Sequence, residues 1–145
     1  MLNNSSPSIA ADPQGSFVVA MQDWQHSLWV YWGNTNTAGN TGLGMAGGTS
    51  PSVAFNSKGV YLAAFQANTG ALWYFRSSDN SATNTGDGMA AGTSPSIGWS
   101  SHPETFMIAF QDWQTHLWLY SSAIASAANT MLGMKAGTSP SLAVR

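Results

Sequence analysis

The strongest constraint on this chain is that it repeats itself. Ser-Pro-Ser occurs at residues 6–8, 50–52, 94–96 and 139–141, at steps of 44, 44 and 45. Other anchors climb the same ladder: Gln22, Gln66 and Gln111; Leu28-Trp29, Leu72-Trp73 and Leu117-Trp118; Asn40-Thr41, Asn84-Thr85 and Asn129-Thr130; Gly44-Met45, Gly88-Met89 and Gly133-Met134. A fixed period of this length is the signature of a stacked-module architecture, and any fold must accommodate it. The extra residue of the third unit falls around His102-Pro103, in turn chemistry where insertions are tolerated.

Each unit reads as short strands. The first follows Ser-Pro-Ser (residues 9–11, 53–55, 97–99 and 142–144), and a turn such as Asp12-Pro13-Gln14-Gly15 closes it. The second covers residues 17–22, 61–66 and 106–111, rich in β-branched and aromatic side chains. Phe17, Val19 and Met21 alternate with Val18, Ala20 and Gln22, so both faces are largely apolar and the strand is expected to be sandwiched. The third covers residues 28–32, 72–76 and 117–121. A weak fourth strand is expected near residues 41–46, and the Ala-rich stretch 122–128 reads as a loop with at most one helical turn.

These strands imply an all-β protein: a β-propeller of ~44-residue blades, three per chain. The chain is expected to form one repeat domain over residues 1–145, with blades at 6–49, 50–93 and 94–138 and with 139–145 restarting a first strand. Propellers usually need four to eight blades, so closure calls for a homo-oligomer, a dimer or higher. Trp29, Trp73 and Trp118, with Tyr31, Phe75 and Tyr120, are expected between blades, and Met45, Met89 and Met134 as gap-filling core. The alternative is a β-trefoil, which also has three repeats and closes as a monomer; the surplus fourth Ser-Pro-Ser has no natural place in it.

The frame of Thr-Ser-Pro-Ser, Ala-Phe-Gln, Leu-Trp and Asn-Thr-Gly-x-Gly-Met resembles tandem repeats of secreted actinobacterial proteins. In strand order it is similar to the propeller lectins of the Photorhabdus lectin type and the tectonins. The resemblance implies a multivalent, non-enzymatic carbohydrate-binding protein with pockets between or within blades, and points to a secreted setting. The repeat here is shorter, and a Gly-Met segment stands where those lectins have a Trp-containing fourth strand. A structural or protein-interaction propeller without a sugar ligand, such as an excised or engineered repeat fragment, is the alternative.

The candidate ligand residues lie in the hairpin between second and third strands. Gln22-Asp23-Trp24 recurs as Gln111-Asp112-Trp113, whereas the second unit has Gln66-Ala67-Asn68. A flat ring to stack on a pyranose, with planar amides and carboxylates for paired hydroxyls, is what sugar recognition requires. The glutamines also suit a cap on backbone groups at the strand end.

Other chemistry has little footing. Of the 6 acidic residues only Asp23 and Asp112 are repeat-equivalent, so they belong to separate copies rather than to one glycosidase pair. His26, His102 and His116 form no triad or metal pattern, and cysteine is absent. Residues 42–47 spell G-x-G-x-x-G but lead into Gly48-Thr49-Ser50-Pro51, not a helix, so no nucleotide and no cofactor is expected. With 4 Lys+Arg there is no phosphate-binding stripe, so nucleic acid is not expected. No run is apolar enough to insert in a membrane as a helix, and no signal peptide is visible at the start, which leaves the compartment open.

Overall fold

The computed structural model describes residues 3–144. It holds three four-stranded antiparallel sheets, each a simple meander, which are three blades of a propeller-type fold. Blade 1 contains β1 (Ser8–Ala11), β2 (Phe17–Gln22), β3 (Ser27–Trp32) and β4 (Thr37–Gly44). Blade 2 contains β5 (Ser52–Phe55), β6 (Tyr61–Gln66), β7 (Ala71–Arg76) and β8 (Ser81–Gly88). Blade 3 contains β9 (Ser96–Ser101), β10 (Glu104–Gln111), β11 (His116–Ser121) and β12 (Ser126–Gly133). Separate blades stacked face to face replace the single closed barrel of a trefoil.

The first strands β1, β5 and β9 lie side by side, and the Ser-Pro-Ser motif explains how. Ser6 N–H donates to Ser50 Oγ at 2.8 Å, Ser50 N–H to Ser94 Oγ at 2.8 Å and Ser94 N–H to Ser139 Oγ at 2.9 Å. The second serine works in the other direction: Ser8 Oγ accepts from Val53 N–H at 3.1 Å, and Ser52 Oγ from Ile97 N–H at 3.1 Å. Hydroxyls thus satisfy backbone donors that would otherwise line an open sheet edge. The proline between them removes a donor that has no ladder partner.

Apolar side chains from both faces of the second and third strands fill the spaces between blades. Val18, Ala20, Leu28 and Val30 of blade 1 meet Val53, Tyr61, Phe65 and Phe75 of blade 2. Leu62, Leu72 and Tyr74 of blade 2 meet Ile97, Phe106, Ile108, Phe110 and Tyr120 of blade 3. Met45 and Met89 are buried; Met134, on the open face of blade 3, is half-buried. Trp73 and Trp118 pack against these cores, while Trp29 sits half-buried on the open face of blade 1.

The outer strands differ from the sequence expectation. Each is eight residues long and begins before the segment anticipated at 41–46. Of the Ala-rich stretch, residues 122–125 form the expected turn, whereas 126–128 belong to β12, because pairing with β11 satisfies their backbone (Tyr120 opposite Ala127, Leu119 opposite Ala128). A bulge in each outer pair skips the leucine after the hairpin, and the repeated threonine bridges the gap. Thr41, Thr85 and Thr130 donate from Oγ1 to the carbonyls of Leu28, Leu72 and Leu117 at 2.8, 3.0 and 2.7 Å. Residues 140–144 take the path of a first strand but pair with no second strand among the described residues.

Candidate functional site

The hairpin joining second and third strands stands at one end of each blade, in blades 2 and 3 against the end of the preceding blade's outer strand. Its glutamine is buried in all three units and its amide holds the interblade link. Gln22 Nε2 donates to Ala46 O at 2.9 Å, and its Oε1 accepts from Gly48 N–H at 3.1 Å. Gln111 repeats the pair on Lys135 O at 3.0 Å and Gly137 N–H at 3.1 Å. Gln66 donates to Ala90 O at 3.0 Å, while its Oε1 is unpartnered among the described residues. The glutamines are therefore clamps that fix where the next blade begins.

The aspartates are equally engaged. Asp23 Oδ1 accepts from the N–H of Gln25 and Ser27 at 3.0 and 2.7 Å, and Oδ2 from the indole N–H of Trp29 at 2.8 Å. Asp112 does the same with Gln114, His116 and Trp118 at 3.0, 2.7 and 2.9 Å. Burial alone would push the Asp112 carboxyl up. Hydrogen bonds from His116 N–H, the Trp118 indole and Gln114 N–H, with the His116 charge, outweigh it and hold the group below its ordinary 3.8.

This clamp matters because of the hairpin's fourth residue, which has φ of 64° at His26, 82° at Gly70 and 67° at Thr115. Glycine takes that conformation without strain, but a β-branched threonine does not. Thr115→Gly is expected to raise stability by about 0.5–1 kcal/mol, and Gly70→Thr to lower it, measured by urea unfolding.

Trp24 and Trp113, by contrast, project from the hairpin tips, 72% and 74% exposed. Trp113 leans over the end of β8, where its Cδ1 would stand 3.8 Å from a Cβ on Gly88. Asn68 takes the same place in blade 2: its backbone N–H donates to Gly44 O at 3.2 Å, and its side chain covers Gly44 so closely that a Cβ there would meet Nδ2 at 2.7 Å.

Beneath Asn68 a cleft of about 110 Å³ opens between blades 1 and 2, lined by residues 42–44, Phe65, Ala67, Asn68 and Trp73. Ala67 stands where the sister units have the aspartate that accepts from the indole. The Trp73 indole N–H is consequently buried with no hydrogen-bond partner among the described residues. At the matching position between blades 2 and 3, Asp87 replaces Leu43. Burial pushes its carboxyl above the ordinary 3.8, and its Oδ2 also lacks a partner among the described residues. Sequence reasoning placed Trp73 in the core and passed over Asp87; the missing aspartate at 67 was the visible signal. A second groove, of about 200 Å³, lies between the same blades and includes Trp32, whose Nε1 donates to Tyr61 Oη at 2.9 Å.

No protein-family model and no curated protein matches the chain. Solved structures do. A fucose lectin from Kordia zhangzhouensis, solved in complex with methyl-fucoside, superposes with a TM-score of 0.62 at 10% identity, over 88% of this chain and 99% of that one. TolB from Acinetobacter baumannii superposes with a TM-score of 0.57 at 13% identity, over 90% of this chain and 34% of that one. At these identities the likeness is one of fold.

Proposed function

We propose that this chain is a non-enzymatic, multivalent carbohydrate-binding protein whose sites are the clefts at the hairpin ends between adjacent blades. One observation carries the reading. The blade 1–blade 2 cleft presents a buried, unpartnered indole donor on Trp73 beside the Asn68 amide and the glycine backbone of β4. An unpaired buried donor is costly, and a sugar hydroxyl entering the cleft would satisfy it. Asn68 offers both donor and acceptor, as vicinal hydroxyls require. Trp24 and Trp113 supply exposed rings for stacking on a pyranose face. Gln22, Gln66, Gln111, Asp23 and Asp112 act at these sites by holding the hairpins that carry the contacts.

The sparse charge suits neutral sugars. The ligand named for the Kordia lectin makes methyl-fucoside the first monosaccharide to try here. Several weak sites on one assembly would gain avidity of about 10²–10⁴ on a glycan surface. The rival reading, an interaction scaffold without a sugar, draws on the aspartates and glutamines, whose polar atoms are nearly all engaged inside the protein.

A neutral-glycan array with methyl-fucoside as competitor separates the two. Binding is expected, and the double variant Trp24→Ala/Trp113→Ala is expected to weaken it, leaving the binding of the blade 1–blade 2 cleft, while circular dichroism and assembly mass stay unchanged. Trp73→Phe, which keeps the ring and removes the N–H, is expected to weaken monosaccharide binding at the first cleft about tenfold. Silence across the panel supports the scaffold instead.

A further inference from the structure

Blade 2 shows both halves of one joint, and blades 1 and 3 each expose one half. The face that blade 2 turns to blade 1 buries Val53, Tyr61 and Phe65; at the same repeat positions blade 1 leaves Ile9 and Phe17 exposed and Met21 half-buried. The opposite face of blade 2 buries Leu62, Leu72 and Met89; at those positions blade 3 leaves Met107, Leu117 and Met134 half-buried. Thr49 and Thr93 are buried, and their counterpart Thr138 is exposed. Met131 and Leu132, beside this face, are also exposed. The two open faces are the two sides of an interface that the molecule already makes twice.

Residues 139–144 add direction. They occupy the place of a first strand beyond β9, held as β5 and β9 are held. Ser94 N–H donates to Ser139 Oγ at 2.9 Å, Leu142 N–H donates to Ser96 Oγ at 3.0 Å, and the Gln111 clamp fixes the link before them. A second copy bringing its own β1 to this place would collide with them.

We propose that a second copy of the chain docks its blade 1 on blade 3 of the first, and that residues 139–144 replace β1 of that copy as the blade's inner strand. The exchange conserves hydrogen bonds. In blade 1 the pairs are Ser8 with Ala20, Ile9 with Val19 and Ala10 with Val18. By repeat position Ser141, Leu142 and Ala143 take the places of Ser8, Ile9 and Ala10, with the same alternation of side chains. The serine bonds and the glutamine clamp remain, and the exposed apolar faces are covered.

Because the chain has no cysteine, engineered pairs report the strand partner directly. Antiparallel partners have Cα atoms about 4.5–5.5 Å apart, within disulfide reach. Val53→Cys/Ala63→Cys, an in-blade pair of the same kind, is the geometric control. Light scattering of the 145-residue chain is expected to give a closed multiple of its 15.3 kDa mass. In that assembly Val19→Cys/Leu142→Cys is expected to join separate chains on a non-reducing gel, and Ile9→Cys/Val19→Cys to remain unlinked. A monomeric mass overturns the proposal. So does an assembly in which the control and the Ile9–Val19 pair oxidise within one chain while the Leu142–Val19 pair does not.

Discussion

Phe65→Ala is expected to lower the free energy of unfolding by about 3–5 kcal/mol, a large fraction of the roughly 5–15 kcal/mol that holds a domain folded. Phe65 is 0% exposed on β6, in one buried cluster with Val18, Leu28 and Val30 of blade 1 and Met45 just after it. Truncation removes the transfer gain of a phenyl ring and leaves a void that two sheets, each fixed by its own ladder, cannot collapse to fill. Met21 is the built-in comparison: it holds the same repeat position in blade 1 but is half-buried on that blade's open face. Met21→Ala is expected to cost about 1 kcal/mol in the single chain. Urea titrations of the two variants measure the contrast, and equal losses would refute it.

Asp112→Ala is expected to cost about 2–4 kcal/mol at neutral pH. The carboxylate accepts from two backbone N–H groups and the Trp118 indole, and charged acceptors make the stronger hydrogen bonds. The substitution leaves those donors unsatisfied around a hairpin whose Thr115 is held at φ 67°. The pH dependence has a definite sign. The folded-state carboxyl titrates below its ordinary 3.8, so its contribution is complete above that value and is lost as pH falls through the folded value. The gap between wild type and Asp112→Ala in urea midpoint is therefore expected to be constant from neutral pH to about 5 and to close below 3.8. A gap that persists under acid would show that the carboxylate's charge is not what holds the hairpin.

Much of the architecture was legible because it is written in periodicities. The Ser-Pro-Ser spacing marks the modules, and the two apolar faces of the second strand anticipate a sheet covered on both sides, which holds for β6, while β2 keeps Phe17 exposed and Met21 half-buried. The outer strands were harder, since Asn, Thr and Gly give no apolar alternation and their pairing rests on backbone bonds and on Thr41, Thr85 and Thr130. The site was least legible. Gln22 and Asp23 are the residue types a sugar needs and also the types a hairpin needs, and composition does not say where a hydrogen bond goes. The informative residue was the exception, Ala67, whose missing carboxylate leaves Trp73 without an acceptor.

The serine stitching between first strands has a genetic corollary. One serine of each motif accepts from the module before it and the other from the module after it, so any copy fits against any other. Duplication or deletion of whole 44-residue segments would therefore keep the serine bonds between first strands matched, so a gene could change length without inventing a new contact at that seam.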